Sequence, residues 1–167
     1  MTEPVQHYLV VPFPEVADVF DPWREQSLGA KPSSGVPPHV TLLAPCPGDV
    51  DSIREVLDGT EAFGVEFGEL CRFAEVPTLY LAPEPAQPFL DLIGALRGRF
   101  PKWPPYGGLH DTVVPHLTVT QGLAEDAAEE AVAQAVPLHG HTREALLLAE
   151  VVPARFEAAA RFAFRGA

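Results

Sequence analysis

A nearly repeated hexapeptide constrains the fold of this chain more than any other feature. Residues 38–43 read PHVTLL and residues 115–120 read PHLTVT, so both copies have proline, histidine, an apolar residue, threonine and an apolar residue in that order. Successive side chains alternate across a β-strand, so each copy predicts a strand with its histidine and threonine on one face and apolar residues on the other. Proline lacks an N–H donor and suits the start of a strand.

The segments around the two hexapeptides predict an α+β fold with an internal repeat. Strands are expected over about 5–13, 39–44, 62–74, 77–82, 115–120, 143–152 and 154–164, and helices from about 50, over 86–98 and over 123–136. Residues 14–28 look helical but are broken by Pro22, and HGH at 139–141 is typical of a turn. Each hexapeptide strand is followed by a helix and two strands. We therefore expect a single α+β domain over residues 1–167 with two lobes.

A third His-x-Thr triplet shows what makes the other two specific. His110-Asp111-Thr112 follows the loop YGGL and has an acidic middle residue, so no apolar strand would hold its side chains rigidly. In the hexapeptides, alternation predicts that His39 and Thr41 share one face and that His116, Thr118 and Thr120 share another. The shared proline and apolar residues, rather than the triplet alone, are the signal.

Two histidines, each beside a threonine, suit chemistry at a phosphodiester. Displacement at phosphorus proceeds in line, so an acid–base enzyme needs one proton carrier near the entering oxygen and another near the leaving oxygen. Imidazole can take either part near neutral pH, because its ordinary pKa is about 6.5. Threonine hydroxyls can donate to the non-bridging oxygens, where negative charge develops. This chemistry requires no metal or other cofactor.

The two motifs, PHVTLL and PHLTVT, resemble the paired HxT motifs of the two-histidine (2H) phosphoesterase superfamily, in particular its LigT-like or 2′-5′ RNA ligase branch. The resemblance extends over the first strand, the helices after the motifs and the PPYGG loop. It implies a bilobal α+β fold, in which two pseudo-symmetric lobes each carry an antiparallel sheet and helices around a central cleft. The resemblance implies action, without metal, on 2′,3′-cyclic phosphates or related phosphodiesters at RNA ends. It also implies that His39 and His116 are the catalytic acid–base pair and that Thr41 and Thr118 bind the phosphate.

Three further residues are weaker candidates for substrate binding. Tyr106, in PPYGG, could cover the ligand or stack on a base, and Phe13 could stack from the end of the first strand. Lys102 lies in RGRFPKW with Arg97 and Arg99, a local basic patch that suits a small phosphorylated ligand. The alternative is that these residues have no role in binding: the aromatic rings would pack within the protein and the cations would be solvated.

Charge and composition limit the partners. The formal net charge of −12 argues against binding of long nucleic acids, whose affinity depends on cations that neutralise phosphates. No metal-ligand spacing, membrane-length apolar run or secretory signal is found in the 167 residues. The expected partner is a small cyclic nucleotide or an RNA end, and the protein is expected to be a cytoplasmic monomer with no membrane partner.

The sequence leaves several functions open. A hydrolase would open a 2′,3′-cyclic phosphate with water, whereas a ligase would join RNA ends through a 2′-5′ linkage by related chemistry run in reverse. A non-catalytic module that binds a nucleotide or a phosphorylated metabolite belongs to a different class. A histidine metal site is disfavoured by the spacing. The sequence does not decide which histidine is the base.

Overall fold

The computed structural model describes residues 5–19, 22–23, 36–73, 78–108, 113–121, 125–153 and 155–167. The strands are β1 (His7–Pro12), β2 (His39–Cys46), β3 (Gly64–Arg72), β4 (Thr78–Glu84), β5 (Leu117–Gln121), β6 (Leu138–His141), β7 (Glu144–Val152) and β8 (Arg155–Ala163). The helices are α1 (Val50–Leu57), α2 (Gln87–Arg99) and α3 (Glu125–Ala135), with 3₁₀ turns at Pro14–Val16 and Pro105–Gly108. Over the described residues the predicted order of helices and strands is confirmed, except at β6. Of the segment 14–28, expected to look helical, residues 20–21 and 24–28 lie outside the described residues.

The strands form one antiparallel sheet of eight, in the order β6-β3-β4-β5-β2-β1-β7-β8. The two strands with the hexapeptides, β2 and β5, are neighbours at its centre, where Val40 pairs with Leu117. The α+β class and the antiparallel pairing are confirmed. The division into two lobes stays a prediction, because hydrogen bonding runs through the sheet without a break.

Each helix packs an apolar stripe on the same face of the sheet. Helix α1 begins at the cap Asp49, whose carboxylate accepts a hydrogen bond from the Ser52 backbone N–H at 3.2 Å. One core cluster contains helix residues Ile53, Leu57, Phe89, Ile93, Leu96, Ala128 and Val132, and strand residues Leu9, Val11, Val40, Leu42, Leu79, Leu81, Leu117, Val119 and Leu147. The helix residues recur at intervals of three and four, as a buried helical stripe requires. No helix in the described ranges is both long and apolar enough to span a bilayer.

Because the helices cover one face, alternate residues of β2 and β5 point away from the core. Val40 and Leu117 are 0% exposed. Burying side chains of this size stabilises the fold by about 1.5–3 kcal/mol each. These apolar residues fix the strands that carry the polar residues of the hexapeptides.

Strand β6 corrects the prediction of a turn at HGH. Gly140 pairs with Val65 of β3, and its neighbours continue the ladder. The glycine allows a close approach between elements, since a Cβ added there would lie 2.6 Å from Cδ1 of Phe13. The prediction of a turn was wrong because Gly140 lies in a strand, where the absence of a side chain leaves space for the ring of Phe13.

Candidate functional site

The pairing of β2 with β5 brings the two HxT motifs together. In the antiparallel register set by Val40 and Leu117, Thr41 lies across from His116, which immediately precedes β5, and His39 lies across from Thr118. Side chains directly opposite one another in such a pair have Cβ atoms about 4.5–5.5 Å apart, and diagonal neighbours lie about 7–8 Å apart, with their Cβ atoms somewhat closer. The two imidazoles are thus diagonal neighbours, each beside the threonine of the other motif. The four side chains form one polar patch on the face away from the helices.

Both imidazoles are held by the same local hydrogen bond. Nδ1 of His39 lies 2.8 Å from the carbonyl oxygen of Pro37, and Nδ1 of His116 lies 2.7 Å from that of Val114. A carbonyl oxygen only accepts, so each Nδ1 carries the proton and donates it. In the neutral ring the lone pair is then on Nε2, at the opposite edge. Each histidine thus has a fixed tautomer in which Nε2 can accept or deliver a proton.

The residues before each histidine explain why the two rings adopt the same arrangement. In both motifs the accepting carbonyl belongs to the residue before a proline, Pro38 or Pro115. Proline restricts its predecessor to an extended conformation, which sets the direction of that carbonyl. Both prolines are buried, which fixes their position against the sheet. The repeated Pro-His therefore repeats a histidine orientation as well as a strand start.

Aromatic rings surround His116. Phe73 and Tyr80 stack on each other with ring centroids 4.2 Å apart, and both present edges to the imidazole, at 5.2 Å and 5.7 Å. The Tyr106 ring lies 6.4 Å from it, tilted by 30°. Burial among these rings lowers the pKa of His116, and the hydrogen bond to Val114 acts in the opposite direction. His116 is therefore biased toward the neutral form.

Tyr106 joins the two motifs. Its ring faces His116, and its hydroxyl lies near the side chain of Thr41. Burial raises the pKa of the Tyr106 hydroxyl, and donation of a hydrogen bond from Thr41 acts in the opposite direction. The PPYGG loop predicted to lie near the ligand is therefore part of the polar patch.

Phe73 and Tyr80 were missed by the sequence analysis. Tyr80 belongs to the site because it pairs with Thr118 across β4 and β5. Phe73 follows β3 and reaches the site through the stack on Tyr80. Their place depends on strand order, which no motif in the sequence encodes. A strand tyrosine next to apolar residues is otherwise typical of sheet packing.

Other predicted residues lie elsewhere. Phe13 is 0% exposed and packs edge-on against Phe67 with centroids 5.1 Å apart, a core position that does not fit stacking on a substrate. Lys102 is exposed on the turn after α2, and its role in binding stays a prediction. Arg99 forms a salt bridge with Glu55 at 3.1 Å, which partly neutralises the predicted basic patch. His110 and its triplet lie outside the described residues.

Thr120 does not share the face of His116 and Thr118, contrary to the prediction. Tyr80 of β4 pairs with Thr118 of β5, but its neighbour Leu79 pairs with Thr120. One step along β4 therefore corresponds to two steps along β5. This β-bulge places Thr120 opposite Leu79, a core residue, and Thr120 is 0% exposed. Simple alternation fails here because the bulge inserts one extra residue.

No group of three or more histidine, cysteine, aspartate or glutamate side chains suited to a metal ion occurs in the described part of the chain. The described side chains of the patch and its surroundings include two imidazoles, two threonine hydroxyls and the phenols of Tyr80 and Tyr106. Such groups can transfer protons and hydrogen-bond an anion.

Comparisons with known proteins identify the class and then the family. The fold resembles that of LigT from E. coli, solved with 3′-AMP, at a TM-score of 0.62 and 17% identity over 98% of this chain and 99% of LigT. It also resembles TT0787 of Thermus thermophilus, with a TM-score of 0.62 and 18% identity over 96% of this chain and 98% of TT0787. A crystal structure described as a phosphoesterase matches with a TM-score of 0.60 and 17% identity over 97% of this chain and 99% of that one. At these identities the likeness establishes the fold alone, which is that of LigT. No curated protein sequence matches the chain.

The sequence profile of the 2′-5′ RNA ligase superfamily matches residues 12–158. This match spans most of the chain, and the protein belongs to that superfamily. The resemblance noted in the sequence is thereby confirmed.

Proposed function

We propose that the protein is a metal-independent phosphoesterase that opens a 2′,3′-cyclic phosphate, or a related phosphodiester at an RNA end, by two-histidine acid–base catalysis. The observation that supports this most is the diagonal placement of His39 and His116, with both Nδ1 atoms bound to backbone carbonyls. The two Nε2 atoms can then flank one phosphorus. The spacing of diagonal neighbours, about 7–8 Å with their Cβ atoms somewhat closer, suits a single phosphate between the rings.

The reaction assigns one proton transfer to each histidine. One imidazole removes a proton from water as its oxygen bonds to phosphorus, and the bond from phosphorus to one ribose oxygen breaks. The other imidazole, protonated at Nε2, gives its proton to that departing oxygen. The product is a ribose phosphate monoester. A second pair of transfers, through solvent, restores the original protonation states.

We assign the base to His116 and the acid to His39. The lowered pKa of His116 keeps its Nε2 unprotonated near neutral pH, as a base requires. In-line displacement needs the second proton carrier on the opposite side of the phosphorus, and His39 is the remaining imidazole of the patch.

Thr41 and Thr118 complete the proposed phosphate site. Each lies across the strand pair from the histidine of the other motif, so their hydroxyls lie on both sides of the space between the rings. There they can donate hydrogen bonds to the non-bridging oxygens as charge accumulates. The role of both threonines is tested by replacement with valine, which keeps the shape of the side chain and removes the hydroxyl.

Small substrates fit this proposal better than long RNA. The formal charge of −12 disfavours contact with an extended phosphate backbone. E. coli LigT has been crystallised with 3′-AMP, a ribose phosphate monoester of the kind that ring opening yields. We include a cytoplasmic, monomeric state in the proposal.

A phosphorus NMR assay tests the proposal. The four 2′,3′-cyclic nucleotides and a short RNA with a cyclic-phosphate end are incubated with the protein in excess EDTA. We expect conversion to monoesters, reduced by about a hundredfold or more in His39→Ala and in His116→Ala. His139→Ala, at an exposed position on β6, is the matched control. Full activity in either site variant would exclude the two-histidine mechanism, and binding without turnover in the wild type would indicate a non-catalytic module.

Ligation is the second candidate, favoured by membership of the 2′-5′ RNA ligase superfamily. In that direction a 5′-hydroxyl, rather than water, would attack the cyclic phosphate, and the same two histidines would carry the protons. Labelled RNA halves, one with a cyclic-phosphate end and one with a 5′-hydroxyl, separate the two reactions. A longer RNA with a 2′-5′ linkage indicates ligation, whereas an RNA half of unchanged length that ends in a phosphate monoester indicates hydrolysis.

A further inference from the structure

A stack of two aromatic rings borders the polar patch on the side of β4. Tyr80 of β4 pairs with Thr118 of β5, so its ring stands beside a threonine of the proposed phosphate site. The Phe73 ring stacks on Tyr80, with centroids 4.2 Å apart and planes inclined by 26°. The centroids of Phe73 and Tyr80 lie 5.2 Å and 5.7 Å from that of the His116 imidazole. The stack is therefore a neighbour of the space in which a phosphate would bind.

The two rings of the stack differ in how much surface they leave open. Tyr80 is 9% exposed, within a strand that has β3 on one side and β5 on the other. Phe73 comes directly after β3 and is half-buried. Its backbone N–H donates a hydrogen bond to the carbonyl oxygen of Thr78 at 3.2 Å, which ties the end of β3 to the start of β4. Phe73 is therefore the outer ring of the stack, on a backbone that is held in place.

Neither neighbouring ring lies over the outer face of Phe73. The three centroid distances of 4.2, 5.2 and 5.7 Å make the directions from Phe73 to Tyr80 and from Phe73 to His116 nearly perpendicular. Since Tyr80 covers one face of the Phe73 ring, His116 lies beside the edge of that ring. Among the residues that the structure describes, no third aromatic ring contacts Phe73. The face opposite Tyr80 can therefore accept another flat ring without displacing the imidazole.

A nucleobase is the flat ring that the proposed substrate would bring to this position. In a nucleoside 2′,3′-cyclic phosphate, one ribose separates the base from the phosphate. A phosphate at Nε2 of His116 thus leaves its base within reach of a ring 5.2 Å from that imidazole. Flat rings attract one another in offset stacks, and any base can stack on an aromatic side chain. The two fused rings of a purine cover more of a phenyl face than the single ring of a pyrimidine does.

We propose that the outer face of Phe73, backed by Tyr80, stacks on the base of the substrate and gives the site a preference for purine nucleoside 2′,3′-cyclic phosphates. This inference rests on the proposed function, which places the phosphate between His39 and His116. Phe73 transfers no proton in this scheme and acts by binding the base. A ring that only shielded His116 from water would instead affect every cyclic phosphate equally, with or without a base.

A comparison of substrates with and without a base tests the inference. The substrates are the 2′,3′-cyclic phosphates of adenosine, of cytidine and of methyl β-D-ribofuranoside, which has no base. Phe73→Leu keeps an apolar side chain beside His116 and removes the flat ring. It should lower kcat/KM about fivefold or more for the adenosine substrate, less for the cytidine substrate, and by no more than about twofold for the base-free one. Phe73→Trp should keep the preference for adenosine.

Phe156→Leu is the matched control. Phe156 is also half-buried and also contacts a tyrosine, since it packs edge-on against Tyr8 with centroids 5.5 Å apart. It lies on β8, which three strands separate from β5. The ratios of kcat/KM among the three substrates should be the same in Phe156→Leu as in wild type.

A binding measurement separates this inference from the proposed function. Adenosine 3′-monophosphate, a product of ring opening, is titrated with the protein while proton NMR follows the adenine C–H signals. Stacking on Phe73 should move these signals upfield in wild type and in Phe156→Leu, and the shift should be lost in Phe73→Leu. Because this ligand is not turned over, the shift reports stacking even if the wild type opens no cyclic phosphate, a result that would overturn the proposed function.

Three results would overturn the inference itself. They are an equal loss of kcat/KM for the adenosine and base-free substrates in Phe73→Leu, unchanged kcat/KM for the adenosine substrate in that variant, and the absence of an upfield shift in wild type. Equal kcat/KM for adenosine and cytidine substrates would overturn the purine preference. If Phe73→Leu folds poorly, wild type alone decides: equal kcat/KM with and without a base would contradict the stacking.

Discussion

Two threonines of β5, two positions apart, are expected to respond in opposite ways to the same substitution. Thr118 belongs to the polar patch, whereas Thr120 is 0% exposed on the core side of the bulge. Oγ1 of Thr120 has no hydrogen-bond partner among the described residues. Replacing either threonine with valine keeps a β-branched side chain of nearly the same shape. The comparison therefore isolates the hydroxyl group.

The magnitude for Thr120 follows from its isolation. A buried hydroxyl without a partner destabilises the folded state by about 1–3 kcal/mol, because it leaves water without gaining a new hydrogen bond. Thr120→Val removes that penalty, so we expect the free energy of unfolding to rise by about 1 kcal/mol or more. For a chain of this length each kcal/mol raises Tm by about 2–4 °C. Turnover of a cyclic nucleotide should stay within about twofold of wild type.

Thr118→Val should leave the stability of the protein nearly unchanged and lower its activity. Thr118 is half-buried, so loss of its hydroxyl should change the free energy of unfolding by less than about 0.5 kcal/mol. Loss of a donor to the phosphate should lower kcat/KM by about tenfold or more. Urea denaturation followed by tryptophan fluorescence measures the first quantity, and phosphorus NMR or a coupled assay the second. Destabilisation by Thr120→Val would mean that the hydroxyl has a partner, and a loss of activity there equal to that of Thr118→Val would refute the bulge as the cause of their different faces.

Four further tests address other parts of the structure. Burial lowers the pKa of His116, so the acid limb of the pH profile of kcat/KM should have its midpoint below the ordinary histidine pKa of about 6.5. Phe73→Ala admits water to the imidazole and should move that midpoint to higher pH. A midpoint that does not move would assign the acid limb to another group. His116 binds a proton at higher pH in the unfolded chain than in the folded chain. The free energy of unfolding should therefore decrease as pH falls from the unfolded to the folded pKa of His116. Urea midpoints of wild type and His116→Gln at several pH values measure this decrease. Phe89→Ala removes a ring that is 0% exposed and should lower the free energy of unfolding by about 3–5 kcal/mol, whereas Leu90→Ala, at an exposed neighbour, should change it little. Gly140→Ala should destabilise the protein because its Cβ would lie 2.6 Å from Phe13, and Gly64→Ala, where nothing lies within 4 Å, is the matched control.

The sequence predicted the elements well because their signals are local. Alternation placed Val40 and Leu117 in the core, and helical spacing predicted the stripe of α2 with Phe89, Ile93 and Leu96. The paired HxT motifs supplied the four polar residues of the patch. Their adjacency followed only from the structure, since it depends on β2 pairing with β5 across a long separation in the chain.

The failures arise where distant parts of the chain meet. Phe13 could stack on a ligand as far as its sequence shows, but it fills the core beside Gly140. Tyr80 is a site residue because of its strand neighbour, and Thr120 left the site because of a bulge. None of these outcomes follows from the residues immediately before and after them. They are set by register and packing, which single-sequence patterns do not record.

The central claim, that both imidazoles act on one phosphate, is tested most directly by NMR of the histidine ring nitrogens. The protein is labelled with ¹⁵N in histidine, assigned with His39→Ala and His116→Ala, and titrated with a 2′- or 3′-nucleoside monophosphate. The account predicts that Nδ1 of both residues carries a proton, that Nε2 of His116 gives the signal of an unprotonated nitrogen near neutral pH, and that both rings shift with a single dissociation constant. A shift in only one imidazole, or two shifts with unrelated midpoints, would contradict it.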